Sequence, residues 1–171
     1  MIIETLTGAV VEAAFNQADL GCGNGDFLRF IKERISFGYG IDSRVNSALN
    51  NSKLTFRSGD LNARIPLDNE SIDVVTSLAV LEHLTEPRIF SGEILRILRP
   101  GGSCIITTPA LAAKPLLEFL AFRLKIISAR DIKDHKQYFN KVQLSELFAK
   151  FRVVQIRHFQ FGLNTRIYAQ K

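Results

Sequence analysis

Short apolar runs alternate with amphipathic stretches along most of the chain. The apolar runs contain many β-branched residues and are predicted to be strands, whereas apolar residues spaced three or four apart predict helices. The first predicted strand ends at 18–20, and the next four cover 39–41, 54–57, 72–77 and 104–108. Such alternation is typical of βαβ units with a parallel sheet.

Helical periodicity appears between these strands and in the last third of the chain. The predicted helices start near Asp26 and cover 89–98, 111–127 and 141–150, and the opening stretch 2–15 is also compatible with a helix. The apolar face of the helix near Asp26 is expected to consist of Phe27, Leu28, Phe30 and Ile31. Pro100, Gly101 and Gly102 are predicted to stop the helix at 89–98.

Two further strands are predicted at 153–161 and 165–169, joined through 162–164. A parallel crossover needs a dozen or more residues, so this pair must be antiparallel. The sequence therefore predicts an α/β fold, a doubly wound seven-stranded sheet that ends in an antiparallel strand pair.

Composition and charge narrow the class of protein. The 171 residues are 46% hydrophobic, which predicts one domain over 1–171. Cys22 and Cys104 are far apart and show no metal-ligand spacing, so a reduced, metal-free, cytoplasmic protein is expected. We expect neither a secretion signal nor a membrane span. The net charge of +5 modestly favours anionic substrates or surfaces, but the basic residues are spread along the chain and no nucleic-acid partner is predicted.

A glycine loop lies between the first predicted strand and the helix that follows it. Its sequence is Asp19-Leu20-Gly21-Cys22-Gly23-Asn24-Gly25-Asp26, and glycines in such a place permit a tight turn and close backbone approach to a ligand. A dinucleotide fingerprint would need a third glycine where Asp26 stands, and a P-loop would need Gly-Lys-Ser/Thr. Both phosphate-binding interpretations are therefore weakened.

The charges of this loop favour a cationic ligand without phosphate. Asp26 occupies the positive end of the helix dipole, and Asp19 adds a second negative charge nearby. S-adenosylmethionine (SAM), which carries a sulfonium and an ammonium group, suits such surroundings. Asp26 could instead simply cap its helix.

The loop resembles the first motif of class I SAM-dependent methyltransferases, and further landmarks of that family follow in order. They are Gly40-Ile41-Asp42, Ser58-Gly59-Asp60-Leu61, the segment from Leu78 to His83 and Leu98-Arg99-Pro100-Gly101-Gly102. The likeness runs from about residue 18 to 108, with a weaker echo from His135 onward. It implies a Rossmann-like methyltransferase sheet that binds SAM and releases S-adenosylhomocysteine.

The resemblance also implies the residues of the site. Asp42 would accept the ribose hydroxyls and Asp60 would meet the adenine amino group, although either carboxylate could merely serve a turn. The implied cofactor-binding residues are Asp19, Gly21, Cys22, Gly23, Gly25, Asp42, Ser43, Asp60, Leu61 and Leu78.

Two histidines are candidate catalytic residues. Methyl transfer is an in-line displacement that depends mainly on alignment, but a hydroxyl acceptor can need a general base, which histidine can supply. His83 belongs to the segment after the fourth strand, and His135 resembles the family histidine in a His-x-x-x-Phe/Tyr pattern. The alternatives are that His83 packs beneath the loop and that Glu82 only braces a helix.

Two features depart from the family pattern. Only residues 1–17 precede the first strand, where related enzymes usually carry a longer segment, so the chain is expected to be a minimal or truncated version. The helix at 111–127 is apolar nearly all round and needs cover. It could be a lid over the SAM site, a homodimer contact, or an interface for a lipid-like acceptor or a membrane surface.

The leading hypothesis is a methyltransferase that acts on a small-molecule or lipid-like acceptor. A non-catalytic SAM-binding or partner-binding module is the alternative. A nicotinamide-dependent dehydrogenase is disfavoured by Asp26 and the missing glycine, and a nucleic-acid methyltransferase by the lack of an Asn/Asp-Pro-Pro-Tyr/Phe motif.

Overall fold

A computed structural model of the protein describes residues 15–45, 47–115 and 136–171. The strands are β1 (Asn16–Leu20), β2 (Phe37–Asp42), β3 (Leu54–Ser58), β4 (Ile72–Leu78), β5 (Leu98–Pro109), β6 (Val153–Phe159) and β7 (Asn164–Gln170). The described α-helices are α1 (Asp26–Ile31), α2 (Pro87–Ile97) and α3 (Lys141–Leu147). Short 3-10 turns cover Lys32–Arg34, Ser47–Leu49, Leu81–His83 and Leu111–Ala113.

The seven strands form one sheet in the order β3-β2-β1-β4-β5-β7-β6. Neighbours from β3 to β5 pair in parallel, and β7 runs antiparallel to both β5 and β6. The predicted α/β sheet and its antiparallel C-terminal pair are confirmed.

The sheet is buried on both faces, which explains the continuous apolar runs of its central strands. Val75 joins the larger core cluster, which includes Phe90 of α2 and Phe148, the residue directly after α3. Val74, on the opposite face, joins the cluster that contains Leu28 of α1. Burial of Val74 and Val75 on both faces agrees with the prediction from their sequence.

The predicted apolar face of α1 is partly wrong. Leu28 and Ile31 are buried, but 67% of Phe30 is exposed. A helix turns by about 100° per residue, so Phe30 lies roughly 200° from Leu28 and cannot share its face.

Some predicted boundaries also shift. α2 ends at Ile97, and Leu98 turns into extended backbone with a fully buried side chain, so Pro100, Gly101 and Gly102 lie within β5 instead of stopping the helix. The pairing of β4 with β5 shifts register there, and such an irregularity can accommodate a proline. The predicted helix at 2–15 and the part of 111–127 beyond residue 115 lie outside the described residues.

Candidate cofactor and active site

A pocket opens at the carboxyl ends of the parallel strands, where the strand order reverses between β1 and β4. Crevices at such reversal points are the usual ligand sites of open α/β sheets. The pocket has a volume of about 840 Å³, within the usual range for small-molecule sites. It is lined by Gly21, Asp42, Ser43, Ser58, Gly59, Asp60, Leu61, Asn62, Leu78, Ala79, Val80, His83, Leu84 and Lys136.

The pocket brings together residues that are up to 115 positions apart in the chain, from Gly21 to Lys136. The predicted site residues that line it are Gly21, Asp42, Ser43, Asp60, Leu61, Leu78 and His83. Four others, Asp19, Cys22, Gly23 and Gly25, lie in or beside the glycine loop without lining the pocket. His135 lies outside the described residues.

The glycine loop is fixed to β2 by its backbone. The amide groups of Gly21 and Cys22 donate to the carbonyl of Ile41, at 2.7 and 3.3 Å. Gly21 has a φ of +81°, and a Cβ there would lie 2.2 Å from Val80 Cγ2. Gly23 has a φ of +51°, but a Cβ there would meet nothing within 4 Å. Gly21 therefore permits close packing against Val80, whereas Gly23 borders open space.

Asp42 connects the end of β2 to the glycine loop. Its Oδ2 accepts a hydrogen bond from the Gly23 amide at 3.0 Å, and its Oδ1 accepts one from the Arg44 amide at 3.0 Å. Ser43 follows directly, and its carbonyl accepts from the Ser58 hydroxyl at the end of β3. These bonds hold an ionised carboxylate at the pocket wall, where it can accept further bonds from ligand hydroxyls.

Asp60 is oriented by its neighbour Asn62. Asp60 Oδ1 accepts bonds from the backbone amide and the side-chain amide of Asn62, at 2.8 and 3.0 Å. These bonds hold the pKa of Asp60 below its usual range. Asn62 Oδ1 in turn accepts from the amides of Thr85 and Glu86 and from the Thr85 hydroxyl, at 2.7 to 3.0 Å. Asn62 thus links the loop after β3 to the segment that leads into α2.

Asp19 lies buried at the end of β1. Burial raises its pKa to about 6, against the lowering effect of a 2.7 Å hydrogen bond from Thr76, and the charge of Asp42 raises it further. Thr76 also accepts a bond from the side chain of buried Gln17. Asp19 therefore acts from beneath the loop as a carboxyl group whose ionisation a nearby cation would favour.

Cys22 and Cys104 are free and buried. Burial is the main cause that raises the pKa of each thiol to about 12. Neither thiol is therefore an activated nucleophile. The Cys22 side chain packs in the core beside Leu28 and Phe56. The predicted contact of Cys22 with a cofactor would therefore be made by its backbone.

Glu82 holds together the segment beside His83. Only 1% of Glu82 is exposed, and burial raises the pKa of its carboxyl group. Its Oε2 lies 3.1 Å from the Thr108 hydroxyl near the end of β5. Its carbonyl accepts from the amides of Lys136 and Gln137, at 2.9 and 3.3 Å. This bracing role agrees with the alternative considered from the sequence, and it places Lys136 at the pocket wall.

The carboxylate acceptors of the site fit SAM. The ends of β1, β2 and β3 carry Asp19, Asp42 and Asp60 on or beneath the pocket wall, and a cationic ligand with ribose hydroxyls and an amino group can use such acceptors. The open space beside Gly23 leaves room for a ligand to approach its backbone. Asp26 caps nothing with its side chain; it forms an ion pair with Arg29.

Sequence reasoning missed part of the pocket wall. Ser58, Gly59, Ala79, Val80, Leu84 and Lys136 line the pocket but were not predicted to do so. Asn62, which also lines the pocket, was not predicted either. Its position two residues after Asp60, where an amide can bond back to a carboxylate, is the signal that could have identified it.

Residues 15–45, 47–115 and 136–171 contain no group of three or more His, Cys, Asp or Glu side chains that could hold a metal ion. No helix of these residues is long and apolar enough to cross a membrane.

Residues 18–106 match the model of a protein family described as "Methyltransferase domain", which is just over half of the chain. Over 95 residues the chain is 34% identical to a probable S-adenosylmethionine-dependent methyltransferase of Mycolicibacterium smegmatis, covering 53% of this chain and 37% of that protein.

Other relatives differ in their acceptors. A ubiquinone biosynthesis O-methyltransferase of Maricaulis maris is 28% identical, with 65% of this chain and 44% of that protein covered. A tRNA U34 carboxymethyltransferase of Desulfotalea psychrophila is 31% identical, with 55% and 32% covered. The chain thus spans less than half the length of these curated relatives.

The fold is shared with solved structures. A SAM-dependent methyltransferase from Mesorhizobium loti superposes with a TM-score of 0.75 at 16% identity, covering 98% of this chain and 96% of that one. This likeness concerns the fold alone.

Proposed function

Since this chain belongs to the methyltransferase domain family, the class I SAM-dependent methyltransferases, we propose that it transfers the methyl group of SAM to a small-molecule or lipid-like acceptor. The observation that carries the proposal is a pocket that is lined by Gly21, Asp42, Asp60, Leu78 and His83. It unites the ends of four parallel strands with a histidine on the adjoining segment.

Each cofactor-binding residue has a proposed role in this pocket. Asp42 accepts hydrogen bonds from the ribose hydroxyls, and Asp60 accepts one from the adenine amino group. Leu61 and Leu78 contact the faces of the adenine ring. Gly21, Cys22, Gly23 and Gly25 bring backbone close to the methionine end, and Ser43 supports Asp42. Asp19 supplies negative charge beneath the loop, which favours a cationic ligand.

In the proposed mechanism the chain's own residues align the acceptor with the methyl group and take up a proton. SAM supplies an electrophilic methyl group when bound. His83, on the pocket wall, accepts the proton of the acceptor hydroxyl in the proposed mechanism. Glu82 and Thr108 hold the segment that carries His83. His135, next to the wall residue Lys136, is the second candidate base or acceptor anchor.

The lipid-like or small-molecule acceptor is supported by the kinship with ubiquinone biosynthesis O-methyltransferases. The kinship with a tRNA U34 carboxymethyltransferase makes tRNA the acceptor to test against it. The two buried thiols suit a reducing compartment such as the cytoplasm. We treat residues 1–171 as one methyltransferase-like domain.

Binding and turnover together test the proposal. SAM and S-adenosylhomocysteine should raise the melting temperature, because a ligand selective for the folded state stabilises it, whereas NAD should not. Equal shifts with NAD would contradict the cofactor assignment. Formation of S-adenosylhomocysteine should then be followed with phenolic small molecules, quinol lipids and tRNA as acceptors. Binding without turnover on any acceptor would favour the non-catalytic SAM-binding module.

Substitution of the two histidines tests the proposed base. His83→Ala or His135→Ala should leave SAM affinity nearly intact and lower turnover by roughly 10²–10⁴-fold if that residue is the general base. Lower melting temperature together with weaker SAM binding would instead indicate a structural histidine. Full-rate turnover would remove that histidine from the mechanism.

A further inference from the structure

The net charge of the protein is concentrated in its last 25 residues. Residues 147–171 contain five cationic side chains and no Asp or Glu, so they account for the whole net charge of +5. The cationic residues are Lys150, Arg152, Arg157, Arg166 and Lys171. This segment includes the β6–β7 hairpin at the edge of the sheet. Lys171 pairs with Glu70 at 3.1 Å, and Arg157 and Arg166 are the cationic side chains of the segment that lie nearest the turn.

The turn of this hairpin presents a fully exposed phenylalanine. Gln160 and Phe161 have left-handed backbone, with φ of 50° and 57°, and Phe161 is fully exposed to solvent. Left-handed backbone is unfavourable for a bulky residue, and glycine or asparagine is usual in such turns. A strained aromatic residue that contributes nothing to the core suggests a function outside the fold.

Part of the turn's backbone is hydrogen-bonded internally. The Gly162 amide donates to the Phe159 carbonyl at 3.2 Å, and the Leu163 amide donates to the Gln160 carbonyl at 3.1 Å. The side chain of Gln160 accepts a 2.6 Å bond from Asn164. Each group that is paired within the turn lowers the cost of moving the turn into an apolar environment, because burial of unpaired peptide groups is what makes such transfer unfavourable.

Further groups lie beside the turn. The Ala110 amide donates to the Leu163 carbonyl at 2.9 Å, which places half-exposed Leu111 next to the hairpin. Arg157 and Arg166 are directly opposite each other across the strands, two residue pairs from the end of the ladder. The Cβ atoms of directly opposed residues are about 5 Å apart, so these two arginines place positive charge close to the turn.

We propose that the β6–β7 hairpin docks the protein on an anionic lipid surface, with Phe161 and Leu111 entering the interface and Arg157 and Arg166 contacting headgroup phosphates. Protruding apolar side chains flanked by cations are typical of peripheral membrane contacts. Single-stranded nucleic acid would instead favour aromatic rings that lie flat beside the arginines on the strands.

The hairpin turn lies at the same end of the strands as the pocket, the end at which the parallel strands have their carboxyl termini. β7 pairs with β5, and β5 pairs with β4, so strand spacing places the turn roughly 10–15 Å from the end of β4. Docking would direct the pocket mouth toward the lipid surface. This orientation, though not the docking itself, rests on the proposed transfer to a lipid-like acceptor.

Vesicle binding tests the proposal without SAM. The full chain should cosediment with vesicles of phosphatidylcholine and phosphatidylglycerol, and much less with phosphatidylcholine alone. Phe161→Asn should weaken this binding by roughly fivefold or more, and Arg157→Gln by about fivefold, with a reduced dependence on salt. Because asparagine tolerates left-handed backbone, Phe161→Asn should not lower the melting temperature.

Two control variants test whether the loss of vesicle binding is specific to the hairpin. Phe30→Gln removes an exposed phenylalanine from α1, and Arg34→Gln removes an exposed cation after it; both should bind vesicles like the unmodified chain. No preference for anionic vesicles, or equal losses in the control variants, would overturn the proposal. The proposal would also be overturned if the chain bound tRNA but not vesicles, and if Phe161→Asn weakened the binding of tRNA. SAM affinity should be unchanged in Phe161→Asn, so failure of docking and failure of the methyltransferase proposal are distinguishable.

Discussion

The two halves of the sheet hold their polar side chains in different ways. At the ends of β1, β2 and β3, the carboxylates of Asp19, Asp42 and Asp60 each accept hydrogen bonds that fix them at or beneath the pocket. Along β6 and β7, Arg157 and Phe161 point to solvent from a ladder held by backbone pairing. The first half is organised around a pocket, and the second presents a surface.

The difference coincides with the extent of the family match, which ends at residue 106. Residues 18–106 contain the glycine loop and all three carboxylates, whereas β6 and β7 lie entirely beyond them. The cofactor half thus carries what family members share, and the hairpin half is where a property of this chain can be added without disturbing the pocket. The predictions below test how far the order of the cofactor half depends on single residues.

The two loop glycines should respond differently to the same substitution. Gly21→Val should destabilise the fold by about 2–5 kcal/mol, because the new side chain meets Val80 and takes an unfavourable φ. Gly23→Val also takes an unfavourable φ but meets no protein atom at its Cβ, so it should cost less stability, remain folded and lose cofactor binding. Circular dichroism and calorimetric titration with SAM separate the two outcomes. A folded Gly23→Val that binds SAM normally would show that the loop is not the site.

Asp19→Asn should raise stability and weaken SAM binding. The folded pKa of Asp19, about 6, lies above its ordinary 3.8, so the native state binds this proton more tightly than the unfolded state. The contribution of Asp19 to stability therefore falls as pH rises from about 4 to 6 and stays low above that range. At pH 7 the substitution should raise the free energy of unfolding by up to about 3 kcal/mol.

Urea unfolding at pH 5 and pH 7 measures this effect. The gain from Asp19→Asn should be larger at pH 7, and SAM affinity of the unmodified chain should increase as pH rises through 6, because the carboxylate form favours a cation. A substitution that destabilises equally at both pH values would mean that the Thr76 bond outweighs the cost of burial.

Asp42→Ala should weaken SAM binding by about 1–3 kcal/mol, because the ribose hydroxyls lose a charged acceptor. The Gly23 amide also loses its partner, so the loop should become less ordered. Calorimetric titration measures the loss, and Asp68→Ala, which removes an exposed carboxylate away from the pocket lining, is the control. An unchanged dissociation constant would show that Asp42 serves only the turn.

The fold was predictable because most of its determinants are local. β-branched runs mark β4 and β5, and the short link at 162–164 makes the last pair antiparallel. The ends of α1 and α2 were less predictable, since burial of Leu98 and exposure of Phe30 depend on tertiary packing. The carboxylates Asp42 and Asp60 could be assigned by resemblance, but the bonds of Asn62 to Thr85 and Glu86 join distant segments and leave no sequence pattern.

Asn62 provides the smallest and most specific test, because its two functions can be separated. Asn62→Ala removes the donor to Asp60 and the acceptor of the Thr85 and Glu86 amides. S-adenosylhomocysteine affinity should fall by about 1 kcal/mol, and the pKa of Asp60, which Asn62 lowers, should rise in an NMR titration. Asn51→Ala is the matched control, because Asn51 Oδ1 accepts from two backbone amides before β3 but does not line the pocket.

Asn62→Asp distinguishes the two roles. Its carboxylate keeps an acceptor for Thr85 and Glu86 but no longer donates to Asp60, and it places a second negative charge beside it. If Asn62 acts by orienting Asp60, the aspartate variant should retain the stability of the unmodified chain and still raise the pKa of Asp60. If Asn62 only joins the two segments, Asn62→Asp should bind S-adenosylhomocysteine normally and Asn62→Ala should lose stability as Asn51→Ala does. Unchanged affinity in both Asn62 variants would therefore assign the Asn62 side chain to the fold and leave Asp60 oriented by the backbone amide of residue 62.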